Sequence, residues 1–228
     1  MTIQRLSGLF IAVILLIAPQ TGFARDWELI KIPGAKCGDG SEYGVMVSRR
    51  DPGKLFFEFD GGGACWDYAT CFGPIPFAQH HSLKGSAPMQ HGILSDEPEN
   101  SPVFDHTAVF FPYCTGDVFV GNHTATYGPF FDRRKMLHWG SYDVQLALDY
   151  LMKTGVINLK AASKMVVYGF SAGSIGAAAS IQYVIPHLSS TVQKSFIMDS
   201  PGLHFGKLFW RKFPRALLKD FTAALSAI

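Results

Sequence analysis

The chain has 228 residues, of which 48% are hydrophobic and 17% charged. That balance excludes an intrinsically disordered chain and suits one globular domain with a sizeable core. Lys and Arg number 20 against 18 Asp and Glu, a formal net charge of +2, so the composition points to no nucleic-acid partner.

Residues 1–24 read as an export signal. Arg5 supplies a positive start, Leu9 to Ile17 form an apolar core, and Gly22-Phe23-Ala24 ends in small residues suited to cleavage. A membrane anchor is the rival reading, but the apolar run is short of the roughly 20 residues a span needs. The expectation is a mature chain starting at Arg25, secreted or periplasmic, with no stable membrane span after cleavage.

Trp27 to Ile32 alternates as a strand, Gly38-Asp39-Gly40 is turn material, and Tyr43 to Ser48 is the hairpin partner. Lys54 to Asp60 is a third strand running into Gly61-Gly62-Gly63. Residues 70–104 read as an irregular surface excursion that carries His80, His81 and His91. Thr107 to Pro112 is a continuous apolar run, the pattern of a strand covered on both faces. Tyr142 to Lys153 has helical spacing, and Lys164 to Gly169 is a buried strand. Ala172 to Ile185 is a close-packed helix stopped by Pro186, Lys194 to Met198 is a strand ending at Asp199, and Phe205 to Leu225 is helical with a break at Pro214. Strand, helix, strand, helix, strand predicts an α/β fold with a mostly parallel sheet and flanking helices. Chemistry in such sheets sits beyond the carboxyl ends of the strands, where Asp60, Tyr113, Ser171 and Asp199 all fall.

All four cysteines lie in the expected mature part, and an even number in an oxidising compartment predicts disulfides. Proximity pairs Cys65 with Cys71, leaving Cys37 with Cys114. No Cys-x-x-Cys pair and no His ligand spacing is present, so no metal and no other cofactor is expected.

Gly169-Phe170-Ser171-Ala172-Gly173 fits G-x-S-x-G between a strand and a helix. There Ser171 sits on a sharp turn where side chains two positions away on either side would meet backbone. The glycine loop after the third strand lets main-chain N–H groups approach a ligand, and with the Ala172 amide it would form an oxyanion hole. No Lys-Ser or Lys-Thr follows those glycines, which argues against a phosphate loop. Trp66, Tyr68 and Phe72 either line a cleft or belong to the core. Asn122-His123-Thr124 fits a glycosylation sequon, relevant only in a glycosylating host.

Phe59-Asp60-Gly61-Gly62-Gly63-Ala64-Cys65-Trp66 with Cys71, Pro112-Tyr113-Cys114-Thr115-Gly116-Asp117-Val118, and Gly169 to Ser174 with Asp199-Ser200-Pro201-Gly202 together resemble the pectin acetylesterase family, which includes the Notum carboxylesterases. The resemblance implies an α/β-hydrolase fold and a Ser-Asp-His esterase acting on an acylated small molecule, polysaccharide or protein. It matches Ser171 to the nucleophile, Gly62, Gly63 and Ala172 to the oxyanion-hole amides, and Asp199 to the pocket rim, and it supports both cysteine pairings. The fold order is Ser, then acid, then His. Only His187 and His204 follow Ser171 here, and neither is assigned as the base. Residues 25–228 are therefore expected to be the N-terminal part of an α/β-hydrolase domain lacking its last strands. The alternative is a non-catalytic fragment or pseudoenzyme without the acid and His of the triad.

Overall fold

The structure, a computed structural model, describes residues 25–90, 92–95, 97–202 and 208–226. The export-signal reading of residues 1–24, His91 and His204 therefore lie outside the described residues. Among those described, one sheet holds β1 (Glu28–Lys36), β2 (Glu42–Ser48), β3 (Asp51–Phe59), β4 (His106–Phe111), β7 (Lys164–Phe170) and β8 (Gln193–Asp199) in the order β1-β2-β4-β3-β7-β8. β3, β4, β7 and β8 run parallel, while β2 joins β1 and β4 antiparallel.

Each face of the sheet has its own cover, as the unbroken apolar runs predict. Phe57, Phe59, Val109, Phe111, Met165 and Val167 point to one face. They pack against Val144, Ala147, Leu148 and Leu151 of α2 (Gly140–Lys153) and against Ile175, Ala177 and Ala179 of α3 (Ala172–Val184). Phe56, Ala108, Val166 and Tyr168 point the other way, toward Leu94 and Val103 of the excursion. Phe59 and Phe111 stack at 4.6 Å under the site rim. A fully buried ring of this kind contributes about 1.5–3 kcal/mol.

The expected strands and both crossover helices are present within a few residues of their predicted ends. Three differences stand out. The excursion opens with α1 (Tyr68–Phe72), started by an Asp67 and Thr70 capping box that was not recognised as a helix start. A second sheet, β5 (His123–Tyr127) paired with β6 (Arg134–His138), was not predicted. Its strands are five residues long and half exposed, with little apolar alternation to announce them. The C-terminal helix α4 (Arg215–Leu225) begins after Pro214, and a 3-10 turn at Phe209–Lys212 replaces its expected first half. Proline cannot extend a helix backward through its missing N–H.

β8 is apolar in its second half, yet its side chains are exposed except for a partly buried Phe196. Its outer edge has no partner among the described residues. Arg25, the first described residue, is buried and donates to the carbonyls of His106 (3.0 Å) and Val103 (2.6 Å), so the expected mature terminus is bound into the domain.

Candidate active site

β7 ends at Phe170, α3 begins at Ala172, and Ser171 between them has φ 53° and ψ −121°. A non-glycine residue at positive φ stores strain, and such residues concentrate at functional sites. The flanking glycines are required by contact. A Cβ on Gly169 would lie 2.0 Å from the Gly173 carbonyl oxygen, and one on Gly173 would lie 2.1 Å from that of Phe59. The Ser171 N–H donates to the Asp199 carbonyl at 2.8 Å, so the end of β8 holds the turn in place. Ser171 is exposed, and among the described residues none hydrogen-bonds to its Oγ.

The hydroxyl faces a cavity of about 310 Å³ lined by Gly63, Ala64, Trp66, Phe77, Gly116, Asp117, Val118, Ser171, Ala172, Ile175, Pro201, Gly202, Phe213, Leu217 and Phe221. The structure thus brings Ser171, Ala172, Gly63 and Trp66 into one wall. Gly62 stands behind it, with φ 140° and its backbone against the Tyr113 ring. Gly63 has φ 76°, and a Cβ there would strike the Phe77 carbonyl oxygen at 1.8 Å. Among the described residues no backbone carbonyl accepts from the N–H of Gly62 or Gly63. Ala172 holds the first position of α3, where an N–H has no acceptor within the helix. The Ala172 N–H at the positive end of α3 and the uncommitted Gly63 N–H, both in the cavity wall, suit an oxygen that gains negative charge.

Trp66 sits 4.8 Å from Phe213 and 5.8 Å from Phe77, ring to ring, and closes the apolar side. Tyr68 and Phe72 do not line the cavity. Tyr68 binds Asp132, and Phe72 packs beside the Cys65–Cys71 disulfide. Asp199 was expected at the rim, but it lines a separate depression with Met89, Ile93, Ile197 and Met198. Its carboxylate accepts from Tyr168 Oη at 3.3 Å and Ser200 Oγ at 2.8 Å. β8 contributes its Asp199 carbonyl to the site, while the Asp199 side chain stays outside it.

Sequence reasoning missed Phe77, Phe213, Leu217 and Phe221, which come from the excursion and α4. It also left Asp117 without a role. Asp117 is buried under the loop after β4. It accepts from Thr115 Oγ1 (2.6 Å), the Phe119 N–H (3.1 Å) and the Gly140 N–H (2.7 Å), tying that loop to the start of α2. Tyr113 Oη accepts from the Val118 N–H at 2.7 Å, and burial pushes that phenol far above its ordinary range, so it stays neutral. The signal available in the sequence was a short polar Thr-Gly-Asp step directly after a fully apolar strand.

Both disulfides form as paired in the sequence, Cys37 with Cys114 and Cys65 with Cys71. The first ties the β1–β2 turn to the end of β4, and the second encloses the segment after the glycine loop. Cys65, Cys71 and His138 lie close together, but disulfide sulfurs offer a metal no thiolate.

None of the described histidines hydrogen-bonds to Ser171 Oγ, and three of them are placed elsewhere. His138 contacts the Thr115 carbonyl (2.9 Å) and Tyr127 Oη (3.0 Å), and burial lowers its pKa. His123 pairs with Asp220 of α4 at 2.5 Å. His187 follows the 13-residue α3, whose rise of about 1.5 Å per residue puts it roughly 20 Å from Ser171.

Comparison with known proteins bears on the family and the fold. The family model described as pectinacetylesterase matches residues 21–206. The palmitoleoyl-protein carboxylesterase notum2 of Xenopus laevis is 27% identical over 164 residues, covering 70% of this chain and 32% of its own length. The mouse palmitoleoyl-protein carboxylesterase NOTUM is 29% identical over 147 residues, covering 61% of this chain and 27% of its own. The chain thus spans about a third or less of these curated relatives. The solved structure of the Wnt deacylase Notum from Drosophila superposes with a TM-score of 0.56 at 19% identity, over 76% of this chain and 51% of that one, and shares its fold. With the family model covering most of its length, this chain belongs to the pectinacetylesterase family.

Proposed function

We propose that the chain carries the nucleophile and oxyanion hole of an extracellular serine carboxylesterase acting on esters of apolar acyl groups. Ser171 Oγ attacks the ester carbonyl, and the tetrahedral oxyanion is met by the N–H groups of Ala172 and Gly63, with Gly62 shaping the loop. The C–O bond to the alcohol then breaks, the alcohol leaves with a proton, and water hydrolyses the acyl-Ser171 ester. One oxyanion donor is worth about 3 kcal/mol in the transition state. Among the described residues no histidine hydrogen-bonds to Ser171 Oγ, so the reading assigns no general base.

A single observation carries this reading: a strained, exposed Ser171 opens onto the same cavity as Ala172 and Gly63. The acyl class follows from the wall. Trp66, Phe77, Ile175, Phe213, Leu217 and Phe221 present mostly apolar carbon, which an acyl chain longer than acetyl would cover. Two disulfides suit an oxidising, extracellular compartment. The non-catalytic alternative is not favoured, because a strained serine elbow serves no packing purpose.

The test is labelling of the whole protein by an alkyl fluorophosphonate, followed by hydrolysis of p-nitrophenyl esters from acetyl to decanoyl. Labelling lost in Ser171→Ala, with kcat/KM rising beyond acetyl, is the expected result. Equal labelling of Ser171→Ala removes the nucleophile assignment.

A further inference from the structure

The β5–β6 hairpin ends in a feature that the ester chemistry does not use. Phe130 and Phe131 are 94% and 88% exposed, the two most exposed large apolar side chains among the described residues. They occupy the corner of a turn closed by the Asp132 N–H donating to the Pro129 carbonyl at 3.0 Å. A turn corner is served by Asn, Asp, Gly or Ser, and two phenyl rings there contribute nothing to the fold.

The tip is held in one shape. A Cβ on Gly128, at φ 98°, would lie 2.2 Å from the Asp132 carbonyl oxygen, so the chain passes close to itself. The Asp132 carboxylate accepts from Arg134 Nε (3.0 Å) and Nη2 (3.1 Å) and from Tyr68 Oη. The Arg134 guanidinium lies 5.5 Å from the centre of the Phe72 ring. The rings therefore project from a braced turn.

Immediately behind them stand Arg133, Arg134 and Lys135, all exposed. Asp132 offsets Arg134, while Arg133 and Lys135 have no ion pair among the described residues. Exposed aromatic rings ahead of uncompensated cations match the layering of an anionic bilayer, apolar beneath and negative at its surface. A narrow two-ring projection suits a fluid surface better than a protein partner, which needs roughly 800 Å² of complementary area on each side.

We infer that the 128–135 hairpin tip docks the protein onto anionic lipid surfaces, with Phe130 and Phe131 entering the interface and Arg133 and Lys135 meeting the headgroups. The tip then meets the bilayer at its surface. The tip is braced on α1, between Trp66 and Phe77 in the chain, and both of these line the Ser171 cavity. On the proposed function, docking brings that cavity to acyl chains at the lipid boundary. The docking itself does not depend on that function.

The test mixes the exported protein, Ser171→Ala included, with vesicles of phosphatidylcholine alone or with one quarter phosphatidylglycerol. Flotation and hydrogen exchange are read at 0.1 M and 0.5 M salt. Binding to the anionic vesicles with slowed exchange at 128–134 is expected. Phe130→Ser with Phe131→Ser is expected to cut partitioning at least tenfold while circular dichroism stays unchanged. Arg133→Gln and Lys135→Gln are each expected to cut it about fivefold. Three results would overturn the inference. The double Phe variant binds like the parent; the protein floats with no change in exchange at the tip; or the parent ignores anionic vesicles, whether it stays a monomer or forms a dimer that the Phe variant abolishes. Ester hydrolysis enters none of these readouts, so failure here is separate from failure of the nucleophile assignment.

Discussion

Replacing Asp117 by Ala is expected to be among the most costly changes in the domain. The side chain is 1% exposed and accepts three hydrogen bonds, from Thr115 Oγ1, the Phe119 N–H and the Gly140 N–H. Alanine strands all three donors, and each buried orphan costs about 1–3 kcal/mol. Partial entry of water brings the sum to about 4 kcal/mol, or a fall in Tm of about 8–16 °C for a domain of this size. Asp117→Asn keeps one acceptor oxygen but turns an amide toward the Gly140 N–H, so about 2 kcal/mol is expected. Asp149 is exposed on α2, and its change to Ala is expected to fall within about 0.5 kcal/mol. The assay is urea unfolding followed by far-UV circular dichroism with disulfides intact. If Asp117→Ala unfolds within 1 kcal/mol of the parent, the claim that this carboxylate holds the cavity loop is wrong.

Two further predictions concern stability. The Cys37–Cys114 bridge spans 77 residues and Cys65–Cys71 spans 6. Loop-closure entropy makes Cys37→Ser with Cys114→Ser the worse pair, costing about 4.5 kcal/mol against about 2.3 for Cys65→Ser with Cys71→Ser. Denaturant midpoints of the two double variants check the order. Burial pushes the carboxyls of Glu58 and Asp143 up to about 8, with Asp60 adding to the first and Asp117 to the second. Each group stays protonated in the folded chain after its unfolded counterpart has ionised. Its contribution is therefore full below about pH 4 and is lost as the pH climbs to about 8, at up to ~1.4 kcal/mol per pH unit. Asp143→Asn is expected to flatten that slope and to gain on the parent at pH 8 but not at pH 4. A parallel pH profile for the two proteins contradicts this.

Much of the fold was legible because its signals are local. The runs at 55–59 and 107–111 could be buried only as strands covered on both faces, and both are fully buried. The glycines at 169 and 173 declared a crowded turn, and the carbonyl contacts at those positions are the crowding itself. The β5–β6 hairpin escaped because it is half exposed and held by its pairing and by its contacts with α1 and α4, which no short window contains.

The site divides the same way. The positions of Ser171, Gly63, Ala172 and Trp66 relative to their own strands and helices follow from neighbours in the chain. Which of them share a cavity does not. Phe77, Phe213, Leu217 and Phe221 reach the wall from distant segments, and Asp199, two residues from the lining Pro201, turns its carboxylate away. By itself the amino-acid order determined the strand-turn-helix that strains Ser171 and the four cysteines that join, because these depend on backbone sterics and short-range geometry. The apolar chamber in front of that serine, and the carboxylate of Asp117 beneath it, were decided only by tertiary packing. That is where side chains far apart in sequence compete for the same buried volume and the same few hydrogen bonds.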